Sequence, residues 1–404
     1  MLNKSCRQVR LKLLLSGTKI NHKSSLPRFL LQSHYITRIS MKILTVVFLS
    51  MVSCLLHAAV QPESLSGQHH LQTVVSKIDY KGWQNSIELK NGLVKVIVVP
   101  QIGRIMHYGF IDGENLLIEN QDLIGQVMPQ QGPRLENGIP VSTPFGGDRV
   151  WPMSQDYVVQ ANGYKRPTDH WLDGGRYDYQ LIDQGVVITS QISEFAGVSV
   201  KRRIELADKQ AFVTISQTME KHRLGINESE DFRIPLTLWN ITKIKLPSQT
   251  LMPLNKRSVF SKGYHAAVWN DAINHGPKYL SMDDGLAVFY PPKKGSGKIG
   301  IDAPGWVAGV IDGIVMAEYF HYDPQENYPD GGTSATVFAD STQAELECLS
   351  PEVVLNIGEK IQHTIIWDLH QLTFTTKDLS LERKAAVNWI TNNRNMKLFN
   401  FFNE

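Results

Sequence analysis

Lys360-Ile361-Gln362-His363-Thr364-Ile365-Ile366-Trp367 decides the fold class. β-branched and aromatic residues crowd these eight positions, and neither glycine nor proline interrupts them, so the segment predicts a β-strand. Comparable runs recur at Leu93 to Val99 (LVKVIVV), Gly185 to Thr189 (GVVIT) and Ala211 to Ile215 (AFVTI), bounded by Gly, Asn, Asp or Pro. Helical periodicity is nearly absent before Leu379 to Ile390 (LSLERKAAVNWI), where Leu381, Ala385 and Trp389 stand at helical spacing behind a capping Asp378 or Ser380. Many strands in series without alternating helices predict an all-β fold. The expectation is one large antiparallel β-sandwich of roughly 300 residues, closed by a C-terminal helix, and no fixed-period repeat points to a propeller. Asn255 to Gly276 and Tyr290 to Gly300 (YPPKKGSGKIG) read as loops, the second a solvated basic tip.

The formal charge of +2 hides an asymmetry. Met1 to Ala59 holds nine Lys and Arg and no Asp or Glu, which leaves 32 basic against 39 acidic residues, or −7, on the remainder. That body is a poor nucleic-acid binder. Met41-Lys42 opens an apolar run from Ile43 to Leu56 that ends in His57-Ala58-Ala59, the pattern of a secretory signal peptide, too short to span a bilayer comfortably. Residues 1–40 then read as a basic leader or upstream extension, 41–59 as the signal peptide, 60–375 as the sandwich and 376–404 as a helical tail. A mitochondrial-type leader competes for the first 40 residues, and Cys54 is a lipidation candidate. Export implies a secreted or periplasmic protein with no membrane attachment after cleavage. Of Cys6, Cys54 and Cys348 only Cys348 would survive cleavage, so the mature chain has no internal disulfide, and the alternating apolar context of Cys348 reads as a buried small side chain.

Two stretches could carry chemistry. In Phe145 to Asp156 (FGGDRVWPMSQD) two glycines ahead and a proline behind favour a shaped loop, from which Asp148, Arg149 and Trp151 project. Such a set can be a loop-holding ion pair beside a core indole, or a site where the indole packs on a sugar ring and the charges bind its hydroxyls. In Ala344 to Leu349 (AELECL) the strand period places Glu345 and Glu347 on one face and Ala344, Leu346 and Cys348 on the other. On a solvated face the carboxylates are ordinary surface charges. In a groove, one acquires a raised pKa that suits a general base. Further candidates are Arg104, His170 with Trp171 and Asp173, and His321. No phosphate loop, helical zinc signature or nucleophile elbow occurs, and Asp323 to Asp330 lacks EF-hand spacing, so neither cofactor nor metal is expected.

The ordered set Gly103-Arg104-Ile105, Gly146-Gly147-Asp148-Arg149-Val150-Trp151-Pro152, Tyr328-Pro329-Asp330-Gly331-Gly332 and Glu345-Leu346-Glu347 through Ser350-Pro351 to Gly358-Glu359 and Trp367 resembles an uncharacterised family within the galactose-mutarotase-like superfamily. The likeness runs from Ser76 to Leu372. It implies a supersandwich of two large twisted sheets that binds a sugar or oligosaccharide on its concave face. It also implies a late-strand glutamate acting as base while a histidine protonates the ring oxygen. By position Glu347 resembles that base and Arg104 a hydroxyl-binding arginine. The acid stays open among His170, His265 and His321, because the Asn-His dipeptide of the mutarotases has no counterpart at a matching place and Asn274-His275 falls in an expected loop. Catalytic candidates are thus Glu347, His170 and His321, and substrate-binding candidates Arg104, Asp148, Arg149, Trp151, Trp171 and Glu345. Three functions follow as expectations: a sugar-binding protein, an aldose 1-epimerase-type isomerase, or an accessory to polysaccharide breakdown by lyase or hydrolase activity.

Overall fold

Burial alternates residue by residue along Val198–Leu206, where Val198, Val200, Arg202, Ile204 and Leu206 turn inward and the residues between them do not. That period of two is the mark of a strand with one face on a core. The computed structural model describes residues 72–129, 135–136, 139–140, 143–154, 157, 169–266, 276–374 and 376–402. The expected leader and signal peptide, residues 1–59, lie outside the described residues.

In chain order the described strands are β1 (Val74–Tyr80), β2 (Trp83–Lys90), β3 (Val94–Val99), β4 (Arg104–Phe110), β5 (Leu135–Glu136), β6 (Ile139–Pro140), β7 (Asp148–Trp151), β8 (Tyr177–Ile182), β9 (Gly185–Ser190), β10 (Val198–Leu206), β11 (Val213–Lys221), β12 (Trp239–Lys245), β13 (Gln249–Pro253), β14 (Leu280–Asp283), β15 (Leu286–Phe289), β16 (Ser296–Ile301), β17 (Trp306–Ile311), β18 (Ile314–Phe320), β19 (Ala335–Asp340), β20 (Gln343–Leu349) and β21 (Lys360–Gln371). One sheet has nine strands in the order β1-β2-β3-β4-β7-β12-β20-β19-β16, and a second has ten in the order β14-β15-β13-β17-β18-β21-β11-β10-β9-β8. Every pairing is antiparallel, from the long β10–β11 and β11–β21 ladders to the β5–β6 pair. The all-β sandwich expected from the sequence is the fold observed.

Between the sheets, Val96, Val98, Ile105 and Leu346 meet Ile188, Ile204, Ile215 and Trp367 in one cluster. The Tyr108 and Trp367 rings lie 5.4 Å apart across it. Each aliphatic side chain fully buried there contributes about 1.5–3 kcal/mol.

Within this apolar layer sits a polar island. Asp148 of β7 ion-pairs with Arg202 of β10, both fully buried. Its second oxygen accepts from Asn240 Nδ2 at 2.7 Å and Thr242 Oγ1 at 3.1 Å. Beside it, the Cys348 thiol donates to Glu318 Oε2 at 3.2 Å, so Cys348 is the buried small side chain its context suggested.

Three local expectations need correction. Phe145 to Asp156 is not a continuous loop: Asp148–Trp151 is a strand inside the nine-stranded sheet. The glycines make its entry instead of preventing it. Gly146 and Gly147 have φ of 95° and 67°, and a Cβ on Gly146 would stand 2.1 Å from the Ile118 carbonyl oxygen, so only glycine brings the chain in at this point. The supposed basic tip likewise ends in strand β16 from Ser296 onward. Finally, helix α1 (Leu379–Phe402) runs well past Ile390. Asp378 Oδ1 caps it by accepting from the Ser380 and Leu381 amides at 2.9 and 3.4 Å. Its buried stripe is Glu382, Ala386 and Ile390, while Leu381 is half exposed. The stripe is displaced by one residue because Glu382 Oε2 accepts from Ser248 Oγ and Gln249 Nε2, at 2.6 and 2.9 Å, and so ties the helix to the ten-stranded sheet. No described helix is long and apolar enough to cross a membrane.

Burial, reinforced by the Asp148 charge, lifts the Glu318 carboxyl to about 8. A carboxyl raised above its unfolded value of about 4.3 contributes stability fully below that value and loses it as pH rises toward the folded pKa. Stability should therefore fall between about pH 5 and 8, and Glu318→Gln, which cannot ionise, should flatten that slope in denaturant titrations. Identical slopes for the two proteins would reject the assignment.

Candidate functional site

Because β7 is only four residues long, its pleat sorts the charged pair cleanly: Asp148 and Val150 are buried toward the second sheet, and Arg149 and Trp151 point to the outward face. Directly opposed residues of antiparallel strands share a face, so register carries that face across the sheet. Trp151 opposes Trp239 and Arg149 opposes Ile241 on β12. Ile241 and Lys243 in turn oppose Glu347 and Glu345 on β20. Beyond β20, Glu345 opposes Phe338 on β19, and Phe338 opposes Lys298 on β16.

The outward side chains form one bonded set. Trp239 Nε1 and Lys298 Nζ both donate to Glu347 Oε2 at 2.9 Å. Among the described residues Glu347 Oε1 has no hydrogen-bond partner. Arg149 Nη2 donates to Glu345 Oε1 at 3.3 Å, and Lys243 Nζ stands 3.5 Å from the same oxygen. The Trp151 and Trp239 rings meet edge to face, 5.3 Å apart at 75°. Arg149 lies over Trp151 at 5.4 Å and Lys298 over Trp239 at 4.7 Å. A turn at residues 169–173 supplies the last member, its Asp169 carbonyl accepting from the Leu172 and Asp173 amides at 3.0 and 2.7 Å. Asp173 then ion-pairs with Arg104 and stands 3.8 Å from Arg149 Nε.

The electrostatics separate the twin glutamates. Burial works to raise Glu345, but Arg149, Lys243 and Lys298 overturn it and hold the carboxyl at about 2. Glu347, fully enclosed, is raised by burial, opposed by Lys298 and helped by the Glu345 charge. One carboxylate is thus a fixed anion and the other a group that takes a proton more readily than usual, a division that suits acid–base chemistry. Neither is a solvated surface charge: even Glu345 leaves only 13% of its side chain exposed, matched by 12% for Arg149 and 13% for Lys243.

The candidates read from the sequence divide accordingly. Arg149, Trp151, Glu345 and Glu347 converge on the outward face. Asp148 points the other way, into the sheet interface. Arg104 is buried, donating to the Gly146 carbonyl at 2.6 Å as well as to Asp173, so it braces the entry to β7. His170 is buried with its ring 3.6 Å from Trp171 and 5.8 Å from Phe195. His321 is exposed just beyond β18 in the ten-stranded sheet. His265 bridges Gly300 on β16, in register with Thr336 and Glu347, so two strands separate it from the carboxylate. Asn274-His275 lies outside the described residues. Sequence reading missed Trp239, Lys243 and Lys298. The alternation of Lys298-Ile299-Gly300-Ile301 was the one signal for Lys298, overshadowed by the surrounding Gly, Pro and Lys. Among the described residues no group of three or more His, Cys, Asp or Glu could hold a metal ion.

No family model matches this chain, and no curated protein does. Among solved structures, the chain is similar to a galactose mutarotase-like protein from Lactobacillus casei ATCC 334, with 11% identity, TM-score 0.43, and coverage of 70% of this chain and 100% of the other. A galactose 1-epimerase from Lactobacillus acidophilus NCFM aligns at 10% identity and TM-score 0.38, covering 75% of this chain and 99% of that one. A TPR-domain containing protein from Parabacteroides distasonis ATCC 8503 aligns at 13% identity and TM-score 0.44 over 76% of this chain, which spans 55% of its length.

The depressed Glu345 contributes stability that is fully present above about pH 4.3 and is lost as pH falls toward 2. Glu345→Gln should cost about 1–3 kcal/mol at neutral pH by removing the carboxylate that Arg149 and Lys243 share. The gap from the parent should shrink by about pH 3. Urea titrations at both values check it, and a gap independent of pH would refute it.

Proposed function

We propose that this chain is an exported carbohydrate-binding protein whose sugar sits on the outward face of the nine-stranded sheet. The observation that carries the reading is the joined Trp151–Trp239 pair, with Glu347 bonded to the indole of Trp239 and Arg149, Lys243 and Glu345 along its border. Half-buried Trp151 offers an apolar ring against the C–H face of a sugar, and the flanking donors and acceptors match its hydroxyls. Export rests on the Met41 to Ala59 segment and places the protein outside the cell or in a periplasm. A single monosaccharide or the end of an oligosaccharide would fit this chemistry equally.

A second reading, a mutarotase-type isomerase, is favoured by the raised Glu347 and its Oε1 without a partner among the described residues. In that reaction Glu347 takes the proton of the anomeric hydroxyl, the ring opens, and an acid gives a proton to the ring oxygen. The Lys298 ammonium, which donates to Glu347 Oε2 at 2.9 Å, is the cation bonded to that carboxylate; His170 and His321 lie elsewhere.

Thermal shift and calorimetry on the full chain, with neutral and acidic monosaccharides and oligosaccharides, test the binding reading, since a ligand of the folded state raises stability. Trp151→Ala should weaken the sugar that binds by about 1–2 kcal/mol; an unaltered affinity would return Trp151 to a packing role. Polarimetry on the parent and Glu347→Gln separates the two readings. Catalysed mutarotation lost in the variant while binding persists makes the protein an isomerase, and no catalysed rate in the parent leaves binding alone.

A further inference from the structure

Two segments border the free side of β16, the edge strand that carries Lys298. His265 and Gly300 exchange backbone hydrogen bonds at 2.7 and 2.9 Å, which lays residues 255–266 along one end of the strand. The turn Gly276–Tyr279 lies along the other, since a Cβ on Gly276 would stand 2.2 Å from the Lys298 carbonyl oxygen. The Tyr279 hydroxyl donates to the Lys294 carbonyl at 3.3 Å, which joins that turn to the loop leading into β16.

This edge is basic throughout. Residues 255–266, 276–282 and 290–301 hold seven Lys and Arg and no Asp or Glu, while the rest of residues 60–404 holds 25 basic against 39 acidic. A strip of +7 therefore lies on a body of −14. Six of its cations, Lys256, Arg257, Lys262, Lys278, Lys293 and Lys294, are exposed, and none forms an ion pair among the described residues. Of the carboxylates at the border, Asp340, opposite Ser296, is held by Thr342 and Gln343, buried Asp302 by Asn255 and Ser258, and Asp283 by Arg383. Neighbouring like charges repel, so the strip carries a standing cost that an anionic partner removes.

Partly exposed rings stand among the cations. Phe260 and His265 stack at 5.6 Å and 29°, and Tyr279 is also half-buried. Rings supply apolar faces for sugars and cations supply partners for charged substituents. β16 spans six residues, about 20 Å, so the strip outreaches a single monosaccharide. Lys298 connects it to the outward cluster through Glu347. Nucleic acid, with its dense phosphate charge, would be repelled by the surrounding −14 more than a chain bearing about one charge per sugar.

We propose that the β16 edge is a track for a linear acidic polysaccharide, whose carboxylates or sulfate esters pair with the exposed cations and whose chain continues past Lys298 onto the Trp151–Trp239 face. The inference rests on the carbohydrate reading of that face and names its ligand class, an anionic polymer.

Calorimetry on the full chain with polygalacturonate against its methyl ester, and dextran sulfate against dextran, tests the assignment and separates carboxylate from sulfate. One or both acidic chains should bind roughly tenfold more tightly than the neutral counterpart, with an affinity that falls as salt rises. Lys256→Gln with Arg257→Gln, and Lys293→Gln with Lys294→Gln, should each weaken the acidic chain, and the four together should do so by roughly tenfold. All four positions are exposed, so these variants keep the fold. Equal binding of acidic and neutral chains, no effect of the four substitutions, or equally tight binding of single-stranded DNA or phosphatidylglycerol vesicles would overturn the track. Trp151→Ala tells the two readings apart: loss of sugar affinity there with no effect of the four substitutions sinks the track alone, whereas no loss at Trp151 sinks the carbohydrate face and with it the extension.

Discussion

A carboxylate closed between two sheets organises this molecule. Asp148 is fully buried, and an unpaired charge there would be prohibitive, so Arg202 must reach it from the opposite sheet while Asn240 and Thr242 satisfy its other oxygen. The pair fixes which way β7 faces, since a slip of one residue would exchange Asp148 with Arg149 and drive an arginine into the apolar layer. With that register set, Arg149 and Trp151 have no alternative to the outward face. The nearby glycines serve the same end by letting the chain enter the sheet between the Ile118 and Ile105 carbonyls.

The outward cluster is built by register across five strands. Its cations come from β7, β12 and β16, its twin glutamates from β20 and a third carboxylate, Asp173, from the turn at residues 169–173. Having mixed signs on adjacent strands keeps Glu345 ionised inside a poorly solvated patch, while Glu347, held deeper and beside another anion, is pushed toward its neutral form. Two chemically identical side chains, two residues apart on one strand, thereby take opposite characters. The cause is the fuller enclosure of Glu347 on one side and the placement of Arg149 and Lys243 beside Glu345 on the other.

The histidines show how little residue type alone settles. His107, in the centre of β4, is buried edge to face with Tyr80, its Nε2 without a partner among the described residues, yet nothing near it in sequence marks it. His170, flanked by the more suggestive Asp169 and Trp171, packs its ring against Trp171 and Phe195.

From the sequence alone came the all-β class, the C-terminal helix with its cap at Asp378 or Ser380, the buried character of Cys348 and the common face of Glu345 and Glu347. All of these follow from local periodicity, propensity or capping chemistry, which act over a few residues. The outward direction of Trp151, the inward one of Asp148, and the meeting of Trp239, Lys243 and Lys298 with the glutamates came only from tertiary structure. Those facts depend on strand register and sheet order, which join Arg149 to Glu345 across nearly two hundred positions of chain. Register is set by burying the correct face of every strand at once, and no single segment contains that information.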